Sequence, residues 1–415
     1  MPRAVAAAKK SPAPKKNGLH TPPLPKAKPE SVGLSSAKLK ALSEAFRREI
    51  DKGTLPGAVV MVGRKGKVAH FDCLGRQGPA SDTSMRPDSV FRIFSMTKPI
   101  VSVGIMQFVE QGRIMLNDPL SKYIPSFANS QVGVVRDGAI NLVPMQREIT
   151  IQDLLRHTSG ISYEITGPGP IQSLYTEAKI YRRSMNNEEH AEVIARLPLI
   201  CQPGAEWHYS RSTDVLGRVL EVVSGKTLGA YLTDAIFAPL RMTDTGFYID
   251  EERGRDRLAE PFGEDPWTGG KVVYFSMLQK PLSESGGGGG VSTAPDYARF
   301  AQMLANGGTL DGARIIGKKT LEWMASDHIE ADTKIVGQQI KPGHRFGLGF
   351  AVRDEAGKSP YPGSVGSFFW GGAAGTQFWV DPKEDLWAVM MIQAPGQRDL
   401  MNNMFRSLVY AAVEK

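Results

Sequence analysis

The sequence of 415 residues predicts an α+β fold in which an antiparallel sheet, flanked by helices, is built from both ends of the chain. Short apolar runs bounded by turn residues occur near residues 57–73 and again near 347–392, as is typical of strands. The segment between them has mainly helical patterns. Because successive strands are joined by hairpins, we expect the sheet to be antiparallel. The sheet domain would comprise residues 30–92 and 285–415, with a mainly helical domain of residues 93–284 inserted into it.

Residues 1–29 differ in composition from the rest of the chain. They contain seven basic residues, no acidic residue and seven of the 28 prolines, whereas the remainder has 43 basic and 43 acidic residues. This segment has too little apolar surface to offset the entropy of ordering, so we expect a disordered basic tail. The neutral body argues against nucleic-acid binding, because the net charge of +7 lies in the tail. The sequence has no apolar run of about 18 residues for a membrane span and no evident export signal, which favours the cytoplasm.

The first predicted elements are a helix and a hairpin. Ser35 or Ser36 caps an amphipathic helix, and strands follow at residues 57–62 and 68–73. The next helix runs from about residue 95 to 111 and is apolar on nearly all sides, which indicates that it is buried.

The middle of the chain, residues 115–284, is expected to be helix and loop. Ser212 or Thr213 caps a helix that ends at Ser224-Gly225. Residues 162–195 and 248–284 show no clean periodicity, and irregular segments of this kind often shape a pocket.

Five consecutive glycines, Gly286–Gly290, precede the last part of the chain. They are either a flexible linker or backbone that lies too close to a ligand for side chains to fit. Thr293 and Asp296 then begin a helix in a capping-box-like pattern. Strands are predicted at residues 347–352, 368–370, 376–380 and 386–392, and a final helix at residues 400–413.

The pattern Ser-x-x-Lys occurs twice, at Ser35–Lys38 and at Ser95–Lys98. Ser35 precedes an ordinary amphipathic helix and is best explained as its cap. Ser95 begins the buried helix, where free N–H groups favour an oxyanion and Lys98 lies on the same face. A desolvated lysine can act as a base, so this pair is a candidate nucleophile and base. The alternative is a capping serine beside a solvent-exposed lysine.

Two further segments have the residue types of an active site. Tyr209 precedes a helix, and a tyrosine near a cationic lysine could have a depressed pKa and carry protons. Trp370-Gly371-Gly372-Ala373 follows a strand, where glycines let backbone approach a substrate. The alternatives are a half-buried aromatic side chain and a β-bulge.

Taken in order, Ser95–Lys98, Tyr209–Arg211 and Trp370–Gly372 resemble the three active-site motifs of the serine β-lactamase and penicillin-binding-protein superfamily. The branch they resemble most is the class C β-lactamase-like esterases, or family VIII carboxylesterases. The resemblance extends from about residue 30 to the C-terminus, and further similar stretches are Leu154–Gly160, Asp214–Gly217 and Gly290–Ala294. It implies a β-lactamase/transpeptidase-like fold with the active site in the cleft between the two domains.

The resemblance also implies roles for individual residues. Ser95 would be the nucleophile that forms an acyl-enzyme, with Lys98 and Tyr209 sharing the general-base role. Which of the two takes the first proton is left open. The backbone N–H groups of Ser95 and Ala373 would form the oxyanion hole. Gly371 and Gly372 would line the cleft edge, and no metal or cofactor is implied, so a chelator should leave activity intact.

Two departures from the β-lactamase pattern bear on the substrate. Trp370 stands where β-lactamases have a lysine that attracts the substrate carboxylate, and Arg211 stands where they have an asparagine. The apolar Trp370 favours neutral short-chain or aromatic carboxylic esters, whereas Arg211 could partly restore attraction for an anion and permit weak cephalosporin hydrolysis. The expected function is therefore a carboxylesterase with a small-molecule ester substrate. Its oligomeric state cannot be read from the sequence.

The motifs also fit other functions. The same motifs fit an acyltransferase, a β-lactamase or D-amino-acid peptidase, and a binding module with an idle site. His157 could belong to a Ser-His-acid triad, although its loop position suits a structural hydrogen bond at least as well. His208 could orient Tyr209 or could simply pack beside it.

Overall fold

The computed structural model describes residues 21–80, 82–180 and 182–415. The α-helices are α1 (Ser36–Asp51), α2 (Thr97–Glu110), α3 (Ile151–Leu155), α4 (Pro170–Glu177), α5 (Asn187–Ala195), α6 (Ser212–Ser224), α7 (Leu228–Leu232), α8 (Glu251–Gly254), α9 (Ala294–Ala305), α10 (Lys318–Met324) and α11 (Arg398–Ala411). Short 3-10 turns occur at Pro29–Val32, Phe94–Met96, Leu120–Lys122, Pro125–Asn129 and Pro395–Gln397, and a π-helical turn at Thr233–Phe237.

The strands are β1 (Gly57–Arg64), β2 (Lys67–Gly75), β3 (Phe91–Arg92), β4 (Gln131–Arg136), β5 (Ala139–Pro144), β6 (Glu206–His208), β7 (Val291–Ser292), β8 (Thr309–Leu310), β9 (Ala313–Arg314), β10 (Lys334–Val336), β11 (His344–Phe346), β12 (Ala351–Arg353), β13 (Phe368–Gly371), β14 (Gln377–Asp381) and β15 (Leu386–Ile392). Seven of them form the main sheet, in the order β11-β12-β13-β14-β15-β1-β2 with every neighbour antiparallel. The prediction of one antiparallel sheet built from both ends of the chain is confirmed.

Helices cover both faces of this sheet. Neighbouring residues of a strand point to opposite faces, and β14 shows which helices lie on each side. Phe378 packs against Tyr297 of α9, whereas Trp379 packs against Phe405 of α11. The ring of Phe405 also contacts Phe46 of α1, so α1 and α11 share one face and α9 covers the other.

Two details of the predicted strands are wrong. Of the strand expected at residues 347–352, only residues 351 and 352 lie in a strand, β12, whereas residues 347–350 form a tight turn between β11 and β12, closed by the bond from Gly347 N–H to Phe350 O (2.8 Å). Gly349 has a φ of +96° there, which is incompatible with an extended strand. In the middle segment, the β4–β5 hairpin was not expected. The sequence signal for it was Asp137-Gly138, a pair that favours the tight turn of a hairpin.

The expected disorder of residues 1–29 is wrong for residues 21–29, while residues 1–20 lie outside the described residues. Leu24 is buried, and the backbone of Pro25 and Ala27 exchanges hydrogen bonds with Val68 on the edge strand β2 (2.7 and 3.0 Å). The prolines favour an extended backbone, which suits pairing with the free edge of a sheet. The segment 21–28, called the N-terminal strap below, therefore covers the sheet edge.

Within the described ranges, no helix combines the length and the apolar character that a bilayer crossing requires. The division of the chain into a sheet domain and an inserted helical domain remains a prediction.

Candidate active site

Ser95 lies in the 3-10 turn that leads into α2. The α-helix begins at Thr97 rather than at Ser95, and Phe94, at the start of the preceding turn, has a φ of +43°, which lies outside the right-handed α region. Two hydrogen bonds hold this strained turn: Thr97 Oγ1 donates to Phe94 O (2.6 Å), and Tyr297 OH donates to Met96 O (2.9 Å). The Ser95 side chain is half-buried at the N-terminal end of a helix that is almost wholly buried.

The amine of Lys98 is directed at Ser95. Lys98 is 1% exposed, and its Nζ lies 3.3 Å from Ser95 Oγ and donates to Gly287 O at 2.6 Å. It also lies 4.4 Å from the ring centroid of Tyr209. Burial lowers the pKa of Lys98 below its usual value of 10.5, while the Asp214 carboxylate acts in the opposite direction. The alternative of a solvent-exposed lysine is thereby excluded.

The glycine run packs against this lysine. Gly287 N–H donates to Asp214 Oδ1 (3.0 Å), and a Cβ on Gly287 would lie only 2.4 Å from Asp214 Oδ2. At its C-terminal end the run is anchored to the residues before the nucleophile, since Ile93 N–H donates to Gly290 O (3.0 Å). The run Gly286–Gly290 is therefore not a flexible linker, and the side chains that it excludes would collide with Asp214 and Thr97 rather than with a ligand as expected.

Tyr209 lies beside Ser95 and Lys98. Its hydroxyl is in hydrogen-bonding contact with the Ser95 side chain, and Trp370 Nε1 donates to the same oxygen at 3.3 Å. Burial raises the pKa of Tyr209, and these two hydrogen bonds only partly counter it. The expectation of a depressed tyrosine pKa is therefore wrong: the Lys98 amine lies over the ring face, while burial disfavours the phenolate.

The segment after β13 is fixed against the nucleophile turn. Gly372 N–H donates to Thr376 O (2.7 Å), and Thr376 Oγ1 donates to Ile93 O (3.3 Å). A Cβ on Gly372 would lie 2.5 Å from the same carbonyl of Ile93, so only glycine fits. Ala373 follows in this turn, and its N–H has no acceptor among the described residues. Gly371, the last residue of β13, is half-buried.

The Trp370 side chain is buried and does not form an exposed surface of a pocket. It is 5% exposed, with its ring 5.4 Å from that of Tyr209 and 5.2 Å from that of Phe346. Its indole N–H holds the Tyr209 hydroxyl. Trp370 thus positions Tyr209, and it brings no positive charge where the third motif of β-lactamases has a lysine.

Arg211 is a paired charge rather than a free one. It forms ion pairs with Glu164 and with Asp214 (3.3 Å), and its guanidinium lies 4.6 Å from the ring centroid of Tyr163. Burial alone would lower the pKa of Arg211, but Tyr163 and the two carboxylates raise it above its usual value. Because two carboxylates already neutralise its charge, Arg211 should attract an anionic substrate only weakly.

Neither candidate histidine reaches the nucleophile. His157 is buried with a φ of +61°, its Nδ1 lies 2.9 Å from Ser210 Oγ, and burial lowers its pKa well below 6.5. His208 Nε2 lies 2.6 Å from Glu206 Oε2. His157 therefore has the structural hydrogen bond that its loop position suggested, and it packs on the Tyr209 ring at 5.0 Å.

Asp214 and Tyr163 belong to the site but were given no role from the sequence. Asp214 links Arg211, Gly287 and Ser285, and its pKa is held low: burial acts to raise it, but Arg211 and Lys98 outweigh this. The sequence signals for it are its place in the first turn of α6 and its position in the similar stretch Asp214–Gly217. Tyr163 lies in a segment without periodicity, and nothing in its surroundings marks it.

Comparison with known proteins shows the family to which the chain belongs. The family model described as Beta-lactamase matches residues 42–411. Protein Rv1367c of Mycobacterium tuberculosis (strain H37Rv) is 34% identical over 363 residues, which cover 85% of this chain and 89% of that protein. Esterase EstB of Burkholderia gladioli is 29% identical over 405 residues, covering 92% and 98% respectively.

Among solved structures, EstCE1, titled a hydrolase with promiscuous acyltransferase activity, superposes with a TM-score of 0.75. Its sequence identity is 26%, and the match covers 90% of this chain and 99% of EstCE1. The family model spans most of the chain, and the structural match supports the same fold. The protein belongs to the β-lactamase family.

Proposed function

We propose that this protein is a serine carboxylesterase that hydrolyses short-chain or aromatic esters through an acyl-enzyme on Ser95. The observation that carries the proposal is the buried Lys98 amine, 3.3 Å from Ser95 Oγ and with a lowered pKa. A lowered pKa favours the neutral form of the amine, which is the form that can accept the serine proton. The similarity to an esterase, EstB, supports the same reaction class.

In acylation, Ser95 Oγ attacks the ester carbonyl while its proton passes to Lys98 Nζ. The resulting oxyanion would be stabilised by the N–H groups of Ser95 and Ala373. Collapse of the intermediate breaks the bond to the alcohol, which leaves with a proton. The raised pKa of Tyr209 keeps its phenol protonated, so Tyr209 can deliver that proton and be reprotonated from Lys98.

Deacylation uses the same two groups, with water in place of the serine as the nucleophile. A water molecule loses its proton to the Lys98 amine through the Tyr209 hydroxyl and attacks the acyl carbonyl. The tetrahedral intermediate then expels Ser95 Oγ, which recovers its proton. In this scheme Lys98 is the base and Tyr209 is the relay, an assignment supported by the opposite directions of their two pKa shifts.

Neutral esters are the proposed substrates because both positions that would attract a carboxylate are altered. Trp370 brings no charge, and the charge of Arg211 is balanced by Glu164 and Asp214. The test compares p-nitrophenyl esters of increasing acyl length with nitrocefin. We expect kcat/KM for acetate or butyrate to exceed that for nitrocefin by several orders of magnitude. Comparable values would contradict the substrate assignment.

Acyl transfer is the second candidate, and the similarity to EstCE1, whose title names that activity, favours it. The half-buried Ser95 would allow an alcohol to take the place of water in deacylation. Product analysis with a primary alcohol present separates the two. A hydrolase gives mainly the free acid, whereas a transferase gives mainly the new ester.

A further inference from the structure

Three side chains of zinc-binding type come together just before Tyr209, outside the catalytic group. A ligand atom from each of Cys201, Glu206 and His208 lies within 4.8 Å of the others. Of these, Glu206 Oε2 and His208 Nε2 are 2.6 Å apart. Within the described part of the chain this is the one group of three such residues close enough to hold a metal ion.

The local backbone explains why the three meet. Glu206 and His208 are two residues apart in β6, so their side chains point to the same face of the strand. The turn at residues 202–205, closed by Ala205 N–H to Gln202 O (3.0 Å), folds Cys201 back towards them. The Glu206 N–H is in hydrogen-bonding contact with the Cys201 thiol.

Both sides of this turn are held by neighbouring backbone. Ile200 N–H donates to Gly160 O and Gly204 N–H donates to Thr158 O, each at 2.7 Å. His208 N–H donates to His157 O (3.0 Å), and β6 pairs in parallel with β10. The three ligands therefore stand on a rigid frame, which lowers the cost of ordering them around an ion.

We infer that Cys201, Glu206 and His208 bind a Zn²⁺ ion through one sulfur, one oxygen and one nitrogen, leaving a fourth position for water. Zinc bonds of about 2.0–2.3 Å place the ligand atoms of a tetrahedral site about 3.3–3.7 Å apart. The present spread of up to 4.8 Å thus needs side-chain movements of about 1 Å. All three side chains are half-buried, which leaves an entry path for the ion.

The charges around the cluster are compatible with a cation. Burial, followed by the Glu206 and Asp153 carboxylates, raises the pKa of the Cys201 thiol to about 12. The ion must therefore displace the thiol proton, as is usual for cysteine ligands. Lys334 Nζ lies 3.8 Å from Glu206 Oε1, but this side chain is 71% exposed and free to turn towards solvent.

Zinc titration of the reduced full-length protein, measured by calorimetry, tests the inference. We expect one Zn²⁺ per chain, with affinity lowered at least about tenfold in C201S and in H208Q. Cys73→Ser changes the other half-buried cysteine and should bind as the wild type does. Ser95→Ala should also bind normally, because the proposed site shares no ligand with the catalytic group.

Cobalt supplies a readout that does not depend on the stability of a variant. Co²⁺ bound to the wild type should give a thiolate-to-metal charge-transfer band in the near ultraviolet, together with the intense visible bands of tetrahedral cobalt. C201S should lose the charge-transfer band, and C73S should keep it. Absence of stoichiometric binding, or binding that C201S and H208Q leave unchanged, would overturn the inference.

Discussion

Replacing Trp370 by phenylalanine isolates one hydrogen bond of the proposed active site. The change keeps an aromatic ring next to Tyr209 but removes the N–H that donates to the Tyr209 hydroxyl at 3.3 Å. A hydrogen bond between neutral groups is worth about 0.5–1.5 kcal/mol. At about 1.4 kcal/mol per factor of ten in rate, its full loss from the transition state corresponds to a twofold to about tenfold fall in kcat. The length of the bond favours the lower end of this range.

The assay is steady-state hydrolysis of p-nitrophenyl butyrate, with a thermal melt of each variant. Trp387→Phe is the matched control, because Trp387 is equally buried and its Nε1 donates to Gln302 Oε1 (2.6 Å) away from the site. Both variants should melt at lower temperature, but only W370F should lose kcat, with KM little changed. Equal kcat in the two variants would refute the positioning role. A thousandfold loss in W370F would instead mean that the indole contacts the reacting atoms.

Three further predictions test the surroundings of the site. In Gly287→Ala the new Cβ would lie 2.4 Å from Asp214 Oδ2 and displace the carbonyl that holds Lys98, so we expect kcat to fall about 10- to 100-fold. Gly263→Ala, where no heavy atom lies within 4 Å, should be unchanged. Lys98→Arg should abolish hydrolysis, because an arginine cannot give up its proton. In the wild type, the rate should rise with pH through a lysine pKa below 10.5. A rate that does not change with pH would contradict the assignment of Lys98 as the base. Asp296 accepts a hydrogen bond from Thr21 of the N-terminal strap. Burial raises the pKa of Asp296 from 3.8 to about 6. The folded protein thus binds the Asp296 proton more tightly than the unfolded chain does. The protonated group therefore stabilises the fold below about pH 4, and this contribution to the free energy of unfolding, up to about 3 kcal/mol, is lost as the pH rises through 6. In D296N that part of the pH dependence of the melting temperature should disappear; an unchanged profile would show that Asp296 is not its source.

The sequence predicted the sheet well because its evidence is local. β15 is apolar along its whole length and β1 is apolar from Ala58 to Val62, and both are bounded by clear turns. Hairpin joints leave one pairing direction. The N-terminal strap was missed because its order comes from a distant edge strand. Nothing within residues 21–28 shows that Val68 offers free backbone groups to Pro25 and Ala27.

For the candidate site, the sequence supplied the reactive side chains but not their surroundings. Ser95 and Lys98 lie three residues apart, so helical geometry alone brings them together. The partners that determine their chemistry come from elsewhere in the chain: Gly287 receives the Lys98 hydrogen bond, and Trp370 holds Tyr209. The sequence predicts a lowered pKa for Tyr209, whereas burial raises it. The prediction fails because the sequence shows a nearby cation but not the extent of burial.

The central claim is that Ser95 is the nucleophile, and the most direct test is hydrolysis of p-nitrophenyl butyrate by the wild type and by Ser95→Ala, side by side. Ser35→Ala, which alters the other Ser-x-x-Lys pattern, is the control. We expect turnover by the wild type and by S35A, and a loss of several orders of magnitude in S95A with an unchanged melting temperature. Equal activity of S95A and the wild type would contradict the account.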